Sequence, residues 1–423
     1  MTPGSGGGPQ GHPDSVRLDS HSPDGATESG APEVGDGSGE QRVTWLELFF
    51  DLIFVTAFDQ LAKRLGDAPT GYNLLVFVLM FAAVWWAWAG NTTFAARYGN
   101  DSRAYRLGTL VQLLTLGTLC LTLRGDLSDT GMAFGFAYTA NRLVLVAMYL
   151  FTLRSHPEGA AFARGQALGF GVAAAFWFLS AFVQGTAELL AWGVALGIDV
   201  LTPILGRDRQ RRAMPHQEHL PERVGLLQII ALGGIVTEVV AGSRQQELRW
   251  ADQAPAFLAL LAAVALWRLY FEQARALPVL AAHRAGRVGS LLAWLYGHLP
   301  FTLGIVMLAV GFGHGIADEE AARDAIDRQF VAWPLVLVSL TLLFLRWNAA
   351  RVTRHPFPDL SAVTIGLIAP VGVAIAFLPL GTLATHAAAC AVILLAAVVT
   401  ALDPSTRRLG KIEEALGASG TPV

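Results

Sequence analysis

Charge is what this sequence has least of. Only 15% of its 423 residues are Asp, Glu, Lys or Arg, against about 25% in a soluble domain, too few to cover a surface facing water. Cysteine is nearly absent as well. Cys120 and Cys390 each fall inside an apolar run, which reads as two thiols at lipid level or in the core and gives no support to a disulfide between them. The sequence contains no Walker-type glycine loop, no His-Glu-x-x-His helix and no Gly-x-Ser-x-Gly elbow, so nothing marks a nucleotide site, a zinc protease or a serine hydrolase. No cofactor is implied. No basic patch with interleaved aromatics points to nucleic acid, and a net charge of −3 names no partner. The N-terminus lacks a basic start followed by an apolar stretch, so it is not a secretory signal. It stays rich in Gly, Pro, Ser, Asp and Glu to Glu40, and residues 1–41 are expected to form a disordered cytoplasmic tail.

What is present is apolar length. Hydrophobic residues make up 53% of the chain and the mean hydropathy is +0.46. A bilayer core of roughly 30 Å needs about 20 apolar residues in a helix. Runs of that kind lie near 44–65, 72–90, 105–123, 131–153, 165–185, 189–205, 222–241, 255–271, 288–312, 330–347, 360–378 and 381–401. The expected fold is an all-α, polytopic transmembrane bundle of about twelve spans in contact with the lipid bilayer. With twelve spans both termini share a side, and that side carries most of the basic residues, including Arg97, Arg103, Arg106, Arg207, Arg284 and Arg351. The positive-inside rule then puts both termini in the cytoplasm of a multi-pass cell-membrane protein.

A faint internal echo suggests two six-helix halves, 42–213 and 214–403, followed by a cytoplasmic tail, 404–423. The second span ends in Trp85, Trp86, Trp88 and Asn91 and the eighth in Trp267, Tyr270 and Glu272. The first and seventh both open on an acid, Glu47 and Glu222. Parallel repeats of this kind occur in transporters, although Trp and Tyr at helix ends are also ordinary interface anchors.

Ionisable groups at hydrocarbon depth carry the most information, because each costs about 2.5–3.5 kcal/mol on insertion scales and persists only if paired, hydrated or used. Glu47 and Asp51 stand four residues apart and share one face of the first helix. Thr44-x-x-Glu47 fits a capping box, which explains Glu47 but not Asp51, one turn deeper. Asp51 is read as either a functional group or a bundle lock. Arg142, half-way along the fourth span, needs a carboxylate, with Asp51 or Glu47 as first choice. Arg268 and Glu272, also four apart, are expected to pair locally. Glu222 and Arg223 point about 100° apart and so should have different partners. Glu238 is a further polar candidate. His298 is either a proton shuttle or a hydrogen-bonded structural residue. His216, His219, Glu218 and Glu222 have a loose metal-like spacing in a loop, and no metal site is assigned. Gly233-Gly234 is expected to permit close helix contact.

The segments Thr44-Trp45-Leu46-Glu47-Leu48-Phe49-Phe50-Asp51-Leu52-Ile53-Phe54-Val55, Glu222-Arg223-Val224-Gly225-Leu226, Leu266-Trp267-Arg268-Leu269-Tyr270-Phe271-Glu272 and Tyr296-Gly297-His298-Leu299-Pro300 resemble the bacterial low temperature requirement A (LtrA) family, over nearly everything from Arg42 to Asp403. The resemblance implies the multi-pass architecture and little chemistry. Two positions depart from the family pattern: Gly234 stands where a glutamate is usual, with Glu238 one turn later as a substitute, and Arg268 replaces an aromatic. Three functions are consistent with these residues. The leading one is a transporter-like or channel-like protein for a small solute or ion, with polar groups of spans one, four, seven and nine along the path. The second is a membrane enzyme acting on a lipid or hydrophobic metabolite, using Glu47, Asp51 and His298. The third is a sensory or scaffold protein in which the charges only lock helices.

Overall fold

In the computed structural model, residues 42–99, 101–125, 127–243, 253–317 and 324–418 are described; the expected tail 1–41 lies outside them. The described residues are overwhelmingly helical. The first half of the chain forms α1 (Trp45–Asp67), α2 (Gly71–Tyr98), α3 (Arg103–Thr122), α4 (Leu127–Ser155), α5 (Ala160–Ser180) and α6 (Thr186–Leu205). The second half forms α7 (His219–Ser243), α8 (Ala254–Gln273), α9 (Leu277–Ala285), α10 (Val288–Ala317), α11 (Asp324–Thr353), α12 (Leu360–Gly366), α13 (Ile368–Phe377), α14 (Thr382–Leu402) and α15 (Pro404–Ala418). Eleven segments are long and apolar enough to cross a membrane, with α12 and α13 together forming one of them. The expected first span, α1, is not among these eleven. Its charged side chains keep its hydropathy down, but it has 23 residues, and one flank shows Trp45, Phe49, Leu52 and Val55 outward. An apolar flank of this size facing outward is what lipid contact requires.

Several helices begin with side-chain caps. Thr44 Oγ1 accepts from the Glu47 amide while the Glu47 carboxylate takes the Thr44 N–H, completing the capping box at α1. Ser102 and Asp359 cap α3 and α12 with one side-chain acceptor each, for the N–H groups of Tyr105 and Ala362. Contacts between loops sort into two ends. At one end, Arg97 at the close of α2 donates to Ala213 O ahead of α7 at 3.0 Å, and Arg275 after α8 bridges Glu413 of α15 at 2.9 Å. At the other end, Arg124 after α3 reaches Gln60 near the end of α1 at 2.8 Å, and Arg328 at the start of α11 reaches Leu380 O ahead of α14 at 3.1 Å. The helices therefore alternate up and down, and α1, α7 and α10 run parallel.

The interior belongs to α2 and α10, whose most apolar windows are 72% and 83% buried. Glycines let α10 sit there: a Cβ on Gly311 would lie 2.5 Å from Phe330 O, and one on Gly242 of α7 would lie 2.4 Å from Gly313 O. Gly233 and Gly234 do not serve this purpose. A Cβ on either meets nothing within 4 Å, so the expected close contact forms one to three turns further along α7 and α10 instead. Cys120 and Cys390 are both free and buried. The segment expected as a tail holds α15, which tucks Leu409 against Leu277 and Ala349.

Candidate functional site

Where α1 and α7 lie side by side, two i,i+4 pairs face each other. Glu47 and Asp51 project from α1, His219 and Arg223 from α7, and all four are buried to 1% exposure or less. The Arg223 guanidinium spans both acids. Its Nε and Nη2 donate to Asp51 Oδ2 and Oδ1 at 3.0 and 2.6 Å, and its Nη1 stands 2.8 Å from Glu47 Oε1. A fork of this kind suits Arg and not Lys, because the planar donors match two oxygens at once. His219 Nε2 lies 3.1 Å from Glu47 Oε1. From α2, Trp88 Nε1 donates to Asp51 Oδ1 at 2.9 Å; from α3, the Tyr105 hydroxyl donates to Glu47 Oε1 at 3.2 Å. Asn91 extends the network to Gln112 and Thr109 at 2.8 and 3.2 Å. Two carboxylates thus share the Arg223 guanidinium, with the His219 ring against one of them.

Arg142 belongs to a different cluster. Its expected partners, Asp51 and Glu47, are taken by Arg223, and the structure instead sets Asp199 of α6 3.2 Å from its Nε. Asp199 also accepts from Tyr138 at 3.3 Å and Trp177 at 3.2 Å, and the guanidinium lies over the Tyr138 and Phe170 rings at 4.8 and 5.5 Å. The pair is wholly buried, held within α4, α5 and α6.

Along the α1–α7–α10 seam two further polar levels follow. Gln228 of α7 and Thr302 of α10 exchange hydrogen bonds at 2.9 and 3.1 Å. One turn back on α10 is His298, fully buried, with Nδ1 on Trp294 O at 2.7 Å and its ring edge-on to Trp294 and Tyr270. His298 is thus held on α10 by its own helix, not beside Glu47 and Asp51. Further out, an open groove of about 280 Å³ is lined by Asp59 of α1, Gly234 and Glu238 of α7, and Val306 and Ala309 of α10. Asp59 bridges Lys63 at 2.8 Å. Gly234 leaves this groove open where a longer side chain would enter it.

The remaining candidates stand apart. Arg268 and Glu272 pair at 2.7 Å across one turn of α8, with Arg268 exposed, as expected of a local ion pair. Glu222 points outward while its neighbour Arg223 is buried. His216 Nδ1 accepts the backbone N–H groups of Glu218 and His219, both at 3.3 Å, and so starts α7. Among the described residues no three His, Cys, Asp or Glu side chains are placed to hold a metal.

Sequence reasoning missed His219, Trp88, Tyr105 and Asp199 as site members. His219 and Arg223 repeat the spacing of Glu47 and Asp51, and that matched pair of ladders was the available signal. Trp88, which the sequence offers either as part of an internal echo or as an interface anchor, is fully buried.

The family model for the bacterial low temperature requirement A protein (LtrA) matches residues 42–402, which includes every residue of the seam. Among curated proteins, the uncharacterized protein RA0937 of Rhizobium meliloti (strain 1021) is 26% identical over 296 residues, covering 67% of this chain and 71% of its own length. No solved structure matches.

Proposed function

We propose, for a chain that belongs to the bacterial low temperature requirement A family, a transporter-like or channel-like protein of the cell membrane that moves a small ion or solute along the α1–α7–α10 seam. One observation carries the reading. Three parallel helices in mutual contact bear polar groups at three successive levels, from Glu47, Asp51, His219 and Arg223, through Gln228, Thr302 and His298, to the open groove with Asp59 and Glu238. A single lock needs one level; each further polar level in hydrocarbon costs insertion energy that function can justify. Carboxylates at both ends favour a cation or proton as the cargo. The α1 and α7 helices, which open the two six-helix halves, stand together in the same direction, as parallel repeats do. The basic-rich end is taken as cytoplasmic.

The test is flux into proteoliposomes reconstituted with the purified full chain, read with proton-, sodium- and potassium-sensitive dyes. Flux of at least one ion above protein-free liposomes, lowered by Glu238→Gln and by Asp51→Asn while both variants remain folded, supports the reading. Tight liposomes for all three ions, or flux indifferent to both variants, overturns it for ions. A second reading rests on the complete burial of Glu47, Asp51 and Arg223: the cluster only locks α1 to α7. Under it, Asp51→Asn lowers thermal stability and leaves flux unchanged.

A further inference from the structure

A second cavity lies outside the seam. It is a lateral groove of about 510 Å³ between α3 and α4, closed behind by the end of α2. Its walls are apolar and aromatic, with Phe94, Leu107, Val111, Met148 and Phe151 among them. Leu107, Val111 and Phe151 are themselves 65%, 37% and 60% exposed, so the groove opens sideways onto the surface that faces acyl chains, not into a loop. Its mouth is polar: Ser102, Ser155 and His156 line it at the helix ends. There Ser102 caps the N-terminus of α3, the positive end of that helix dipole. Arg103 and Arg106 follow in the first turns of α3, and Arg154 sits in the last turn of α4. All three are exposed, with Arg106 3.6 Å from Asp101. An apolar trough open to lipid, with exposed arginines on the helix turns that border its mouth, suits the charge and shape of an anionic phospholipid: a chain in the trough, a phosphate at the mouth.

We infer that this α3–α4 groove is a binding site for an anionic phospholipid of the leaflet at the basic end. The site does not depend on the transport reading. It does touch the charged cluster, because Tyr105 lines the groove with its ring and donates its hydroxyl to Glu47. A lipid seated there fixes the Tyr105 ring, and through it the outer hydrogen bond on Glu47.

The experiment uses the full chain in lipid nanodiscs with phosphatidylglycerol carrying a photoactivatable group in mid-chain, followed by peptide mapping. The same acyl chain on phosphatidylcholine serves as the second arm. Labelling concentrated on the α3 and α4 peptides that line the groove, several-fold stronger for phosphatidylglycerol, is expected. Ala104→Phe and Val144→Phe fill the groove from opposite walls and should each abolish that labelling while leaving labelling of the exposed face of α8 unchanged. Substituting Arg103 and Arg106 together by Gln should erase the preference between the two head groups. Labelling spread evenly over all lipid-facing helices, labelling that survives both filling variants, or equal labelling by the two lipids overturns the inference. Thermal unfolding of each variant at the wild-type temperature excludes a folding defect; if one filling variant fails that control, the other decides.

Discussion

Replacing Arg223 by Met removes the guanidinium that spans Glu47 and Asp51. The guanidinium contacts both acids at 2.6–3.0 Å with no access to solvent. Stranding a buried charge by deleting its partner costs about 3–5 kcal/mol. Asp51→Asn should cost less, about 1.5–3 kcal/mol for a lost charged hydrogen bond, because Glu47 still neutralises Arg223 and the amide oxygen still accepts from Trp88. The diagnostic variant removes both acids and the guanidinium at once: Glu47→Gln, Asp51→Asn and Arg223→Met together should be more stable than Arg223→Met alone, because neither carboxylate is left stranded by the loss of Arg223. The molecule carries its own reporters, since Cys120 and Cys390 are both buried thiols. A thiol-reactive dye that fluoresces on their exposure gives an unfolding temperature for each variant in detergent. The order expected is wild type first, then Asp51→Asn, then the triple variant, then Arg223→Met. An Arg223→Met protein that unfolds with wild type, or a triple variant no better than Arg223→Met, refutes the account of the cluster as mutually compensating charge.

The same assay checks the glycine contacts: Gly242→Ala forces a Cβ to 2.4 Å from Gly313 O and should cost about 1–3 kcal/mol as overpacking. Gly234→Ala meets nothing within 4 Å and should be neutral or stabilising by up to about 1 kcal/mol, the usual gain of Ala over Gly in a helix. At the junction of α14 and α15, burial pushes the Asp403 carboxyl up, but hydrogen bonds from the hydroxyls and amides of Ser361 and Ser405 outweigh it and hold the group at about 2, below its ordinary 3.8. A depressed acid contributes stability that is complete above its unfolded value and is lost as the pH falls through the folded one. Circular dichroism melts should therefore weaken between about pH 4 and pH 2, and Asp403→Asn should flatten that loss; an identical acid profile for the variant would count against it.

Much of this architecture is legible in the sequence because the bilayer sets one length and one polarity. The capping box at Thr44 and the need of Asp51 for a compensating partner are both local statements, and both can be made from a dozen residues. The partner itself is not local. Arg223 lies 172 residues from Asp51, and the matching i,i+4 spacing of Glu47–Asp51 and His219–Arg223 is a hint of pairing that does not say α1 and α7 are neighbours. The Arg142 assignment went to the wrong acids for the same reason: Asp199 stands near the end of its helix beside Pro203, where depth reads as shallow, while the folded α4–α6 cluster buries it completely. Gly233-Gly234 illustrates the converse. A glycine pair signals either a close contact or an empty space, and only the packing of α1, α7 and α10 shows that Gly234 borders a groove.

Two of the buried ion clusters allow a comparison of lock and seam within one molecule. Asp199 and Arg142 are enclosed by Tyr138, Phe170 and Trp177, inside three helices of one half. Such a pair can be exchanged for apolar groups of similar volume with little net loss, whereas removing one partner is costly. Arg142→Met with Asp199→Leu should then fold, and its ion flux should equal that of wild type. The Glu47–Asp51–Arg223 cluster has the same burial but a different setting, since the seam it begins ends on an open groove with Asp59 and Glu238. Restoring stability there by neutralising all three charges should not restore flux, and flux that did return with stability would reduce the seam to a second lock.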